Sequence, residues 1–310
     1  MDFYSILANL IFATVSSSTI ILFASMGEII TERSGILNLG VEGMMLIGAL
    51  TGFSVAYHSG NLLFAVICAG LMSSLMGLIH AFLCITLRAN QVVSGLALTI
   101  FGSGMSSFFG AKMVGLHLES SFKSIDISGL SNIPFLGRIL FQYNVLVYIA
   151  WLTALVIFII FKYTRWGLYS KSTGEKPLAS DIMGVKVIRY RYMSTMIGGF
   201  LAGVSGAYLT LAYTPLWGDE MTSGRGWIAV AIVIFSNWNP MYAILGTFLF
   251  GGLEALQLRL QPLGVSISPH ILNMMPYIFT IIILVLFSLR KSKSNNPKSL
   301  GIPYFREERT

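Results

Sequence analysis

Long runs of apolar residues recur along this chain, separated by short segments that carry most of its charges. About 20 helical residues are enough to cross the hydrocarbon core of a bilayer. The pattern therefore predicts an all-α, polytopic transmembrane helical bundle of about nine spans. The predicted number of spans ranges from eight to ten, because the two apolar runs beside Asn237–Pro240 are short. The predicted spans are residues 6–25, 38–58, 61–86, 92–115, 143–161, 193–214, 227–237, 241–258 and 270–289.

The composition supports a membrane protein. Hydrophobic residues make up 55% of the chain and charged residues only 11%, whereas soluble domains usually contain about 25% charged residues. This supply of charge cannot cover a water-soluble surface, so we treat residues 1–310 as one transmembrane domain. The net charge of +7 is explained by basic loops that face anionic lipid, and nucleic acid is not an expected partner.

The positions of lysine and arginine predict the orientation. The linker 162–192 contains seven of them and the tail 290–310 contains six. Cytoplasmic loops carry an excess of these residues, which places the linker and the tail in the cytoplasm. With nine spans and a cytoplasmic C-terminus, the N-terminus lies outside. The loop 116–142 is then the longest extracytoplasmic connection.

The chain contains a weak internal similarity. The pair Ser34–Gly35 precedes one apolar run and the pair Ser223–Gly224 precedes another; each run is followed by a segment that opens with asparagine, at Asn61 and at Asn239. In the nine-span topology these two halves run in opposite senses. Inverted repeats of this kind are common in transporters. Chance similarity between glycine-rich apolar helices is the alternative.

The linker contains a short segment with a helical pattern. Pro177 suits the first position of a helix, and Gly184 suits the position after its end. Leu178 and Ile182 are four residues apart and share one apolar face. An exposed apolar face requires a protein partner or the membrane surface. The residues that we expect to couple to such a partner are Gly174, Glu175, Pro177, Leu178, Ala179, Ile182, Met183 and Gly184.

Polar residues at membrane depth are candidates for a substrate pathway, because charge there is costly. Glu42 either lines such a pathway or lies near a helix N-terminus, where its charge favours the dipole. Glu28, Glu32 and Arg33 are expected at the membrane interface. For each further candidate alone, an interhelical hydrogen bond is the alternative. These further candidates are Asn38, Asn90, Gln91, Ser94, Trp227, Asn237 and Asn239.

Patterns for catalysis are missing from the sequence. It contains no G-x-x-x-x-G-K-S/T phosphate loop, so any ATP hydrolysis belongs to another chain. The four histidines fall in separate segments and suggest neither a metal site nor a triad. We therefore expect no catalytic residue, no metal ligand and no cofactor in this chain.

Several segments together resemble one family. Glu32–Gly43 is similar to the pattern E-R-x-G-x-x-N-x-G-x-E-G of permease subunits of bacterial ABC importers, in the branched-chain amino acid, ribose and nucleoside permease family. The sugar-importing branch usually shows G-G-I-D-L-S-V-G, where this chain has Ser34–Gly40. Further matching segments are Asn90–Gly95, Gly224–Ala229, Asn237–Pro240, Glu254–Arg259 and Leu300–Tyr304.

The linker resembles the family pattern R-A-x-G-E-N-P-x-A-A, in which the resemblance implies a coupling helix. Gly174, Glu175 and Pro177 keep that pattern. Departures occur at Lys171, Ser172, Lys176 and Ser180.

The resemblance implies a multi-pass permease of the bacterial cytoplasmic (inner) membrane. Its implied partners are a second homologous permease, a cytoplasmic ABC ATPase that holds ATP and Mg, an extracytoplasmic substrate-binding lipoprotein, a small-molecule cargo and membrane lipid. The branch that it resembles most works with basic-membrane-protein-type lipoproteins and commonly imports nucleosides. The alternatives are the same importer carrying riboflavin or a simple sugar such as ribose, and, outside transport, a membrane receptor or scaffold.

Overall fold

A computed structural model describes residues 3–125, 136–260 and 296–305, together with a few positions between 274 and 285. Within these residues the chain is helical, and an isolated bridge between His117 and Leu216 is the one β-type pairing. The predicted all-α class is confirmed. The helices are α1 Phe3–Arg33, α2 Val41–Ser59, α3 Leu62–Ala81, α4 Gln91–Gly110, α5 Leu136–Leu140, α6 Val145–Tyr163, α7 Arg165–Glu175, α8 Pro177–Ile182, α9 Val187–Tyr208, α10 Arg225–Phe235 and α11 Pro240–Leu260.

Six helical segments of the described chain are long and apolar enough to cross a membrane. They belong to α1, α3, α4, α6, α9 and α11, and each matches a predicted span. α2 has 19 residues but carries Glu42 and His58. α10 has 11 residues and is therefore roughly 16 Å long at 1.5 Å per residue, too short to cross alone. The predicted span 270–289 lies almost wholly outside the described residues, so the total of nine stays a prediction.

α9 occupies the middle of the bundle and packs against α1, α2 and α3. The backbones of these helices approach closely because glycines lie at the contacts between them. Gly203 lies against Ser73 of α3 and Gly48 of α2, and Gly206 lies against Met45 of α2. Within a bilayer the hydrophobic effect does not drive helices together, so such small-residue contacts supply the van der Waals packing that does.

The helices α1–α3 and α9–α11 pack crosswise. α2 and α3 pack against α9, while α10 and α11 pack against α1. The first helix of each unit thus holds the second and third helices of the other unit. This exchange of partners is the arrangement that a repeat related by a twofold axis produces. We refer to α1–α3 and α9–α11 as the two repeat units.

Paired contacts show that the repeat units run in opposite senses. Thr31 of α1 lies beside Ser194 of α9, and Ser16 lies beside Tyr208, so α1 and α9 are antiparallel. α3 is antiparallel to α9 by the same criterion, and α11 is antiparallel to α1. α3 and α11 therefore run in opposite directions, as the predicted inverted repeat requires.

The predicted linker 162–192 is too long, because α6 continues to Tyr163 and α9 already begins at Val187. Arg191, counted as a loop charge, is 1% exposed inside the bundle. Tail residues 296–305 pack on the linker, where Ser299 N donates to Gly174 O at 2.9 Å. Linker and tail therefore lie on the same side. The predictions for residues 126–135, 290–295 and 306–310 fall outside the described residues.

Gly206→Ala tests the packing of α9 on α2. The added Cβ would overlap the carbonyl oxygen of Met45, a backbone atom that moves only with its helix. Overpacking costs about 1–3 kcal/mol, so we expect the isolated subunit to unfold at a lower temperature in detergent. Gly104→Ala on α4 is the control, since no described atom lies within 4 Å of its Cβ and alanine favours a helix more than glycine. Equal unfolding temperatures for the two variants would contradict this packing.

Candidate functional site

The connection between α6 and α9 folds as two short helices. Thr164 caps α7, because its Oγ1 accepts a hydrogen bond from Gly167 N at 3.2 Å. α8 begins with Pro177 and ends at Ile182. Gly184 follows with φ of 84°, a conformation that glycine adopts without strain. The short helix predicted between Pro177 and Gly184 is therefore present.

α8 exposes its apolar residues and buries a polar one. The exposed fractions are 38% for Leu178, 72% for Ile182 and 83% for Met183. Ser180 is 6% exposed and donates to a backbone carbonyl of its own turn at 3.0 Å. A solvated helix shows the opposite pattern, with its apolar stripe facing the core. The exposed face of α8 is thus suited to contact with another molecule.

Gly174 faces the bundle, although it was predicted with the coupling residues, whereas Glu175 lines a surface cleft with Ala179 and Met183. Gly174 is buried, and a Cβ there would overlap the carbonyl oxygen of Arg33 at the end of α1. Its own carbonyl accepts hydrogen bonds from Ser299 N at 2.9 Å and Ser299 Oγ at 2.6 Å. The charge of the half-buried Glu175 interacts with Arg33. Both residues therefore fasten the linker to α1, and Gly174 also fastens it to the tail.

Arg191 joins three segments that are distant in sequence. Its Nε donates to Ser34 O at 3.2 Å, and its Nη2 donates to Thr173 O at 3.2 Å and to Ser299 Oγ at 3.1 Å. A buried guanidinium requires such partners, since an uncompensated charge in the interior is strongly destabilising. The α1–α2 connection, the linker and the tail are therefore held by one side chain.

Lys171 attaches the linker to the end of α6. Its Nζ donates to Phe161 O at 2.9 Å and lies 5.5 Å from the centre of the Phe161 ring. A cation beside the last carbonyls of a helix is favourable. Burial, and secondly the charge of Arg33, lowers the pKa of the Lys171 amine. This departure from the family pattern thus serves a structural contact.

Glu42 binds the start of α10. Its Oε1 accepts hydrogen bonds from Gly224 N at 2.8 Å and Thr222 Oγ1 at 2.6 Å, and its Oε2 accepts one from Gly226 N at 2.6 Å. Glu42 lies in the first turn of α2, but these donors belong to the other repeat unit. A carboxylate at a helix N-terminus satisfies free N–H groups and favours the dipole. The structure shows such a contact at the N-terminus of α10, and a role for Glu42 in lining a pathway stays a prediction.

Asn38, Gln91 and Ser94 lie near the starts of α2 and α4 and are almost fully buried. The backbone N–H of Asn38 donates to a carboxylate of α1 at 3.2 Å. Gln91 Oε1 accepts a hydrogen bond from Leu37 N at 2.7 Å, and Ser94 Oγ lies 2.9 Å from His80 Nδ1. Gln91 therefore holds the α1–α2 connection against α4, Asn38 holds it against α1, and Ser94 holds α4 against α3.

The other pathway candidates lie at helix ends. Asn90 and Asn239 cap α4 and α11, each accepting a hydrogen bond from the backbone two residues further on, at 2.9 and 3.0 Å. Asn237 has φ of 52° in the turn between α10 and α11. Trp227 follows the Glu42 contact and is 37% exposed. The structure thus groups Asn38, Gln91 and Ser94 around the α1–α2 connection and Glu42 with the start of α10. Among the eight candidates, Trp227 presents a large side chain outward.

Glu28 and Glu32, at the charged end of α1 and expected at the membrane interface, are each 1% exposed because protein covers them, and their depth in the membrane stays a prediction. The turn between α10 and α11 covers this end. Glu32 Oε2 accepts a hydrogen bond from Trp238 Nε1 at 2.5 Å, and Arg33 Nη2 donates to Trp238 O at 3.1 Å. The spacing of four residues between Glu28 and Glu32 places them on one helix face. This spacing was the signal in the sequence that could have indicated their shared burial.

An ion pair that the sequence analysis did not single out joins α10 to α11. Arg225 pairs with Glu254, and Glu254 also accepts a hydrogen bond from Ser17 of α1. Three helices therefore meet at one carboxylate. Arg225 and Glu254 fall in two of the segments that carry the family resemblance, which is the signal that could have identified them.

Comparison with known proteins gives one family and several relatives. The family model described as branched-chain amino acid transport system / permease component matches residues 10–288. The guanosine ABC transporter permease protein NupQ of Bacillus subtilis is 33% identical over 100% of both chains. The nucleoside ABC transporter permease protein NupC of Lactococcus lactis is 32% identical over 94% of this chain and 95% of its own.

A putative glucose ABC transporter permease protein of Haloferax volcanii is 44% identical over 86% of this chain and 82% of its own. No solved structure matches the chain. Since the family model extends through nearly all of the helical bundle described above, the chain belongs to the branched-chain amino acid transport system permease family and is a membrane-spanning ABC transporter subunit.

Proposed function

We propose that this permease carries nucleosides into the cell. The supporting observation is full-length similarity to two permeases whose names specify guanosine and nucleosides, at 33% and 32% identity. The segment Ser34–Gly40 agrees, because it differs from the pattern of the sugar-importing branch.

A simple sugar is the second candidate cargo. It is favoured by the putative glucose permease of Haloferax volcanii, at 44% identity over 86% of this chain. A nucleoside contains a ribose, so a pathway that passes sugar hydroxyls suits both cargoes. The base distinguishes a nucleoside from a simple sugar. An aromatic side chain suits a base, because every base has a face that can stack on an aromatic ring.

The proposed pore contains a second, different permease. Two Bacillus subtilis guanosine permeases, NupQ and NupP, match this chain at 33% and 23% identity, which supports a pair of unlike subunits. α4 and α11 are as little buried as α3 and α6 but less hydrophobic. Lipid favours apolar surface, so α4 and α11 suit contact with protein or cargo. Ser103 and Ser107 on α4 also hydrogen-bond the carboxylates of Glu220 and Asp219, at 3.2 and 2.6 Å.

The proposed orientation places the linker and the C-terminal tail in the cytoplasm. Both are rich in lysine and arginine and lie on the same side of the bundle. α8 then faces the ABC ATPase, which holds ATP and Mg. The opposite side, which includes the bridge between His117 and Leu216, faces the substrate-binding lipoprotein. The membrane is the bacterial cytoplasmic (inner) membrane.

Glu42 and Trp227 have linked roles in the proposed pathway. Glu42 fixes the start of α10 through Gly224 and Gly226. Trp227 follows directly and is 37% exposed, so its ring is available to a passing base. Glu42 is then a positioning residue. Asn237 and Asn239 set the far end of the same helix, where it turns into α11.

The docking role of α8 is tested by combining Leu178→Asp with Ile182→Asp. Central apolar side chains of an interface often contribute about 2 kcal/mol or more each, so we expect cargo-stimulated ATP hydrolysis by the reconstituted transporter to fall about tenfold or more. Tyr163→Asp is the control, because Tyr163 is 70% exposed at the end of α6, outside the exposed face of α8. Normal hydrolysis by the double variant would show that the ATPase docks elsewhere.

The cargo is tested with vesicles that contain the complete transporter. Labelled guanosine should accumulate only when ATP and the lipoprotein are supplied, and excess unlabelled adenosine should compete. Excess glucose, ribose or riboflavin should leave uptake unchanged. Accumulation of glucose, ribose or riboflavin without competition from a nucleoside would overturn the cargo proposal and leave the permease family assignment intact.

Glu42→Gln separates the positioning role from direct contact with cargo. A neutral amide offers one oxygen where the carboxylate offers two, so one of the buried N–H groups at Gly224 and Gly226 loses its acceptor. Such a loss costs about 1–3 kcal/mol. We expect a lower unfolding temperature and slower guanosine uptake, with assembly of the transporter retained. Thr222→Val, which removes another donor to Glu42, should show a smaller change of the same kind. An unchanged unfolding temperature with an altered KM would instead indicate direct contact.

A further inference from the structure

The C-terminal segment 296–305 is built into the underside of the bundle. Ser299 is 6% exposed and Pro297 is buried. Ser299 donates twice to Gly174 O and accepts a hydrogen bond from Arg191 Nη2 at 3.1 Å. The segment is therefore fixed to the linker and to α9 at its centre.

Its last described residues are held by cations. The guanidinium of Arg191 lies 5.9 Å from the ring centre of Tyr304, and that of Arg88 lies 4.5 Å from the ring centre of Phe305. Both distances are within the range of a cation–π interaction. Before these two rings in the chain, Ile302 is 55% exposed, and Lys298 is exposed as well. The segment thus presents side chains outward from a fixed backbone.

Two clefts adjoin both α8 and the C-terminal segment, which contributes Tyr304 to one and Lys298 to the other. A cleft of about 510 Å³ lies between Asp181 of α8 and Tyr304 of the C-terminal segment. A second cleft of about 560 Å³ is bounded by Ala179, Met183 and Lys298. Met183, at the end of the exposed apolar face of α8, therefore shares a cleft with Lys298 of the C-terminal segment.

We propose that α8 and the C-terminal segment together form one docking surface for the ATPase. The inference rests on the proposed function, in which α8 meets that partner. The surface has an apolar centre with exposed cations around it, at Lys176, Lys186, Arg189 and Lys298. It fits a partner surface with an apolar ridge flanked by acidic side chains. Ile302 and Lys298 contact the ATPase, and Ser299 and Arg191 position them.

Retention of the ATPase on the purified transporter provides the test. Ile302→Asp combined with Lys298→Glu should reduce the ATPase recovered with the permease about tenfold, as loss of a central interface contact does. Lys162→Glu is the charge-matched control, since Lys162 is exposed but lies at the end of α6, away from both clefts. Normal recovery with the segment variant would overturn the proposal.

The α8 double variant, Leu178→Asp with Ile182→Asp, distinguishes failure of the composite surface from failure of the proposed function. If Leu178→Asp with Ile182→Asp releases the ATPase but the segment variant does not, α8 docks alone and the composite surface is wrong. If neither variant releases it, α8 is not the docking element and both proposals fail. Release by both variants, with the control unaffected, supports the composite surface.

Protection of a thiol supplies a second measurement that does not depend on disrupting the interface. Ile302→Cys is introduced after Cys68 and Cys84 have been replaced by alanine. The new thiol should react with a maleimide in the isolated permease and become protected when the ATPase is bound. Reactivity that persists with bound ATPase overturns the proposal. So does protection by anionic lipid vesicles without the ATPase, which would show that the membrane surface covers the segment.

Discussion

The buried start of α10 is the constraint on which the arrangement of the two repeat units depends. A helix N-terminus leaves N–H groups without partners inside the helix, and lipid offers no water to bind them. Gly226 and Thr222 are buried, so an acceptor must come from within the protein. Glu42 supplies it from α2. Because acceptor and donors lie in opposite repeat units, satisfying this helix end also fixes how the units meet.

The same requirement explains the organisation at the other end of the bundle. Arg191 is buried, and its donors are satisfied by Ser34, Thr173 and Ser299. Ser34 belongs to the connection that leads into α2 and Glu42. A continuous set of contacts therefore extends from the linker and the tail, through Arg191 and the α1–α2 connection, to the start of α10. A displacement of α8 that moves Gly174 or Thr173 must be accommodated along this set.

The sequence predicted those elements that depend on local signals. Bilayer thickness sets the length of an apolar run, so most described spans were located, and Pro177 with Gly184 defined α8. Contacts distant in sequence were not predicted. The positive-inside rule counts Arg191 as a loop charge because it contains no information about Ser34 or Ser299. The burial of Glu32 by the turn at Trp238 was not predicted for the same reason, because that turn lies 206 residues further along the chain.

The pathway candidates show how polar groups at membrane depth are used within one chain, and their contact with cargo stays a prediction. Asn90 and Asn239 cap helices, and Gln91 and Ser94 form hydrogen bonds with neighbouring segments. A polar group that is already bonded within one chain has little capacity left for a cargo. Groups that remain available must face outward, as Trp227 does. Of the four spans with the least buried surface, α4 and α11 have the lower hydropathy. The proposed pathway therefore runs along the surface of this chain, where the proposed second subunit closes it.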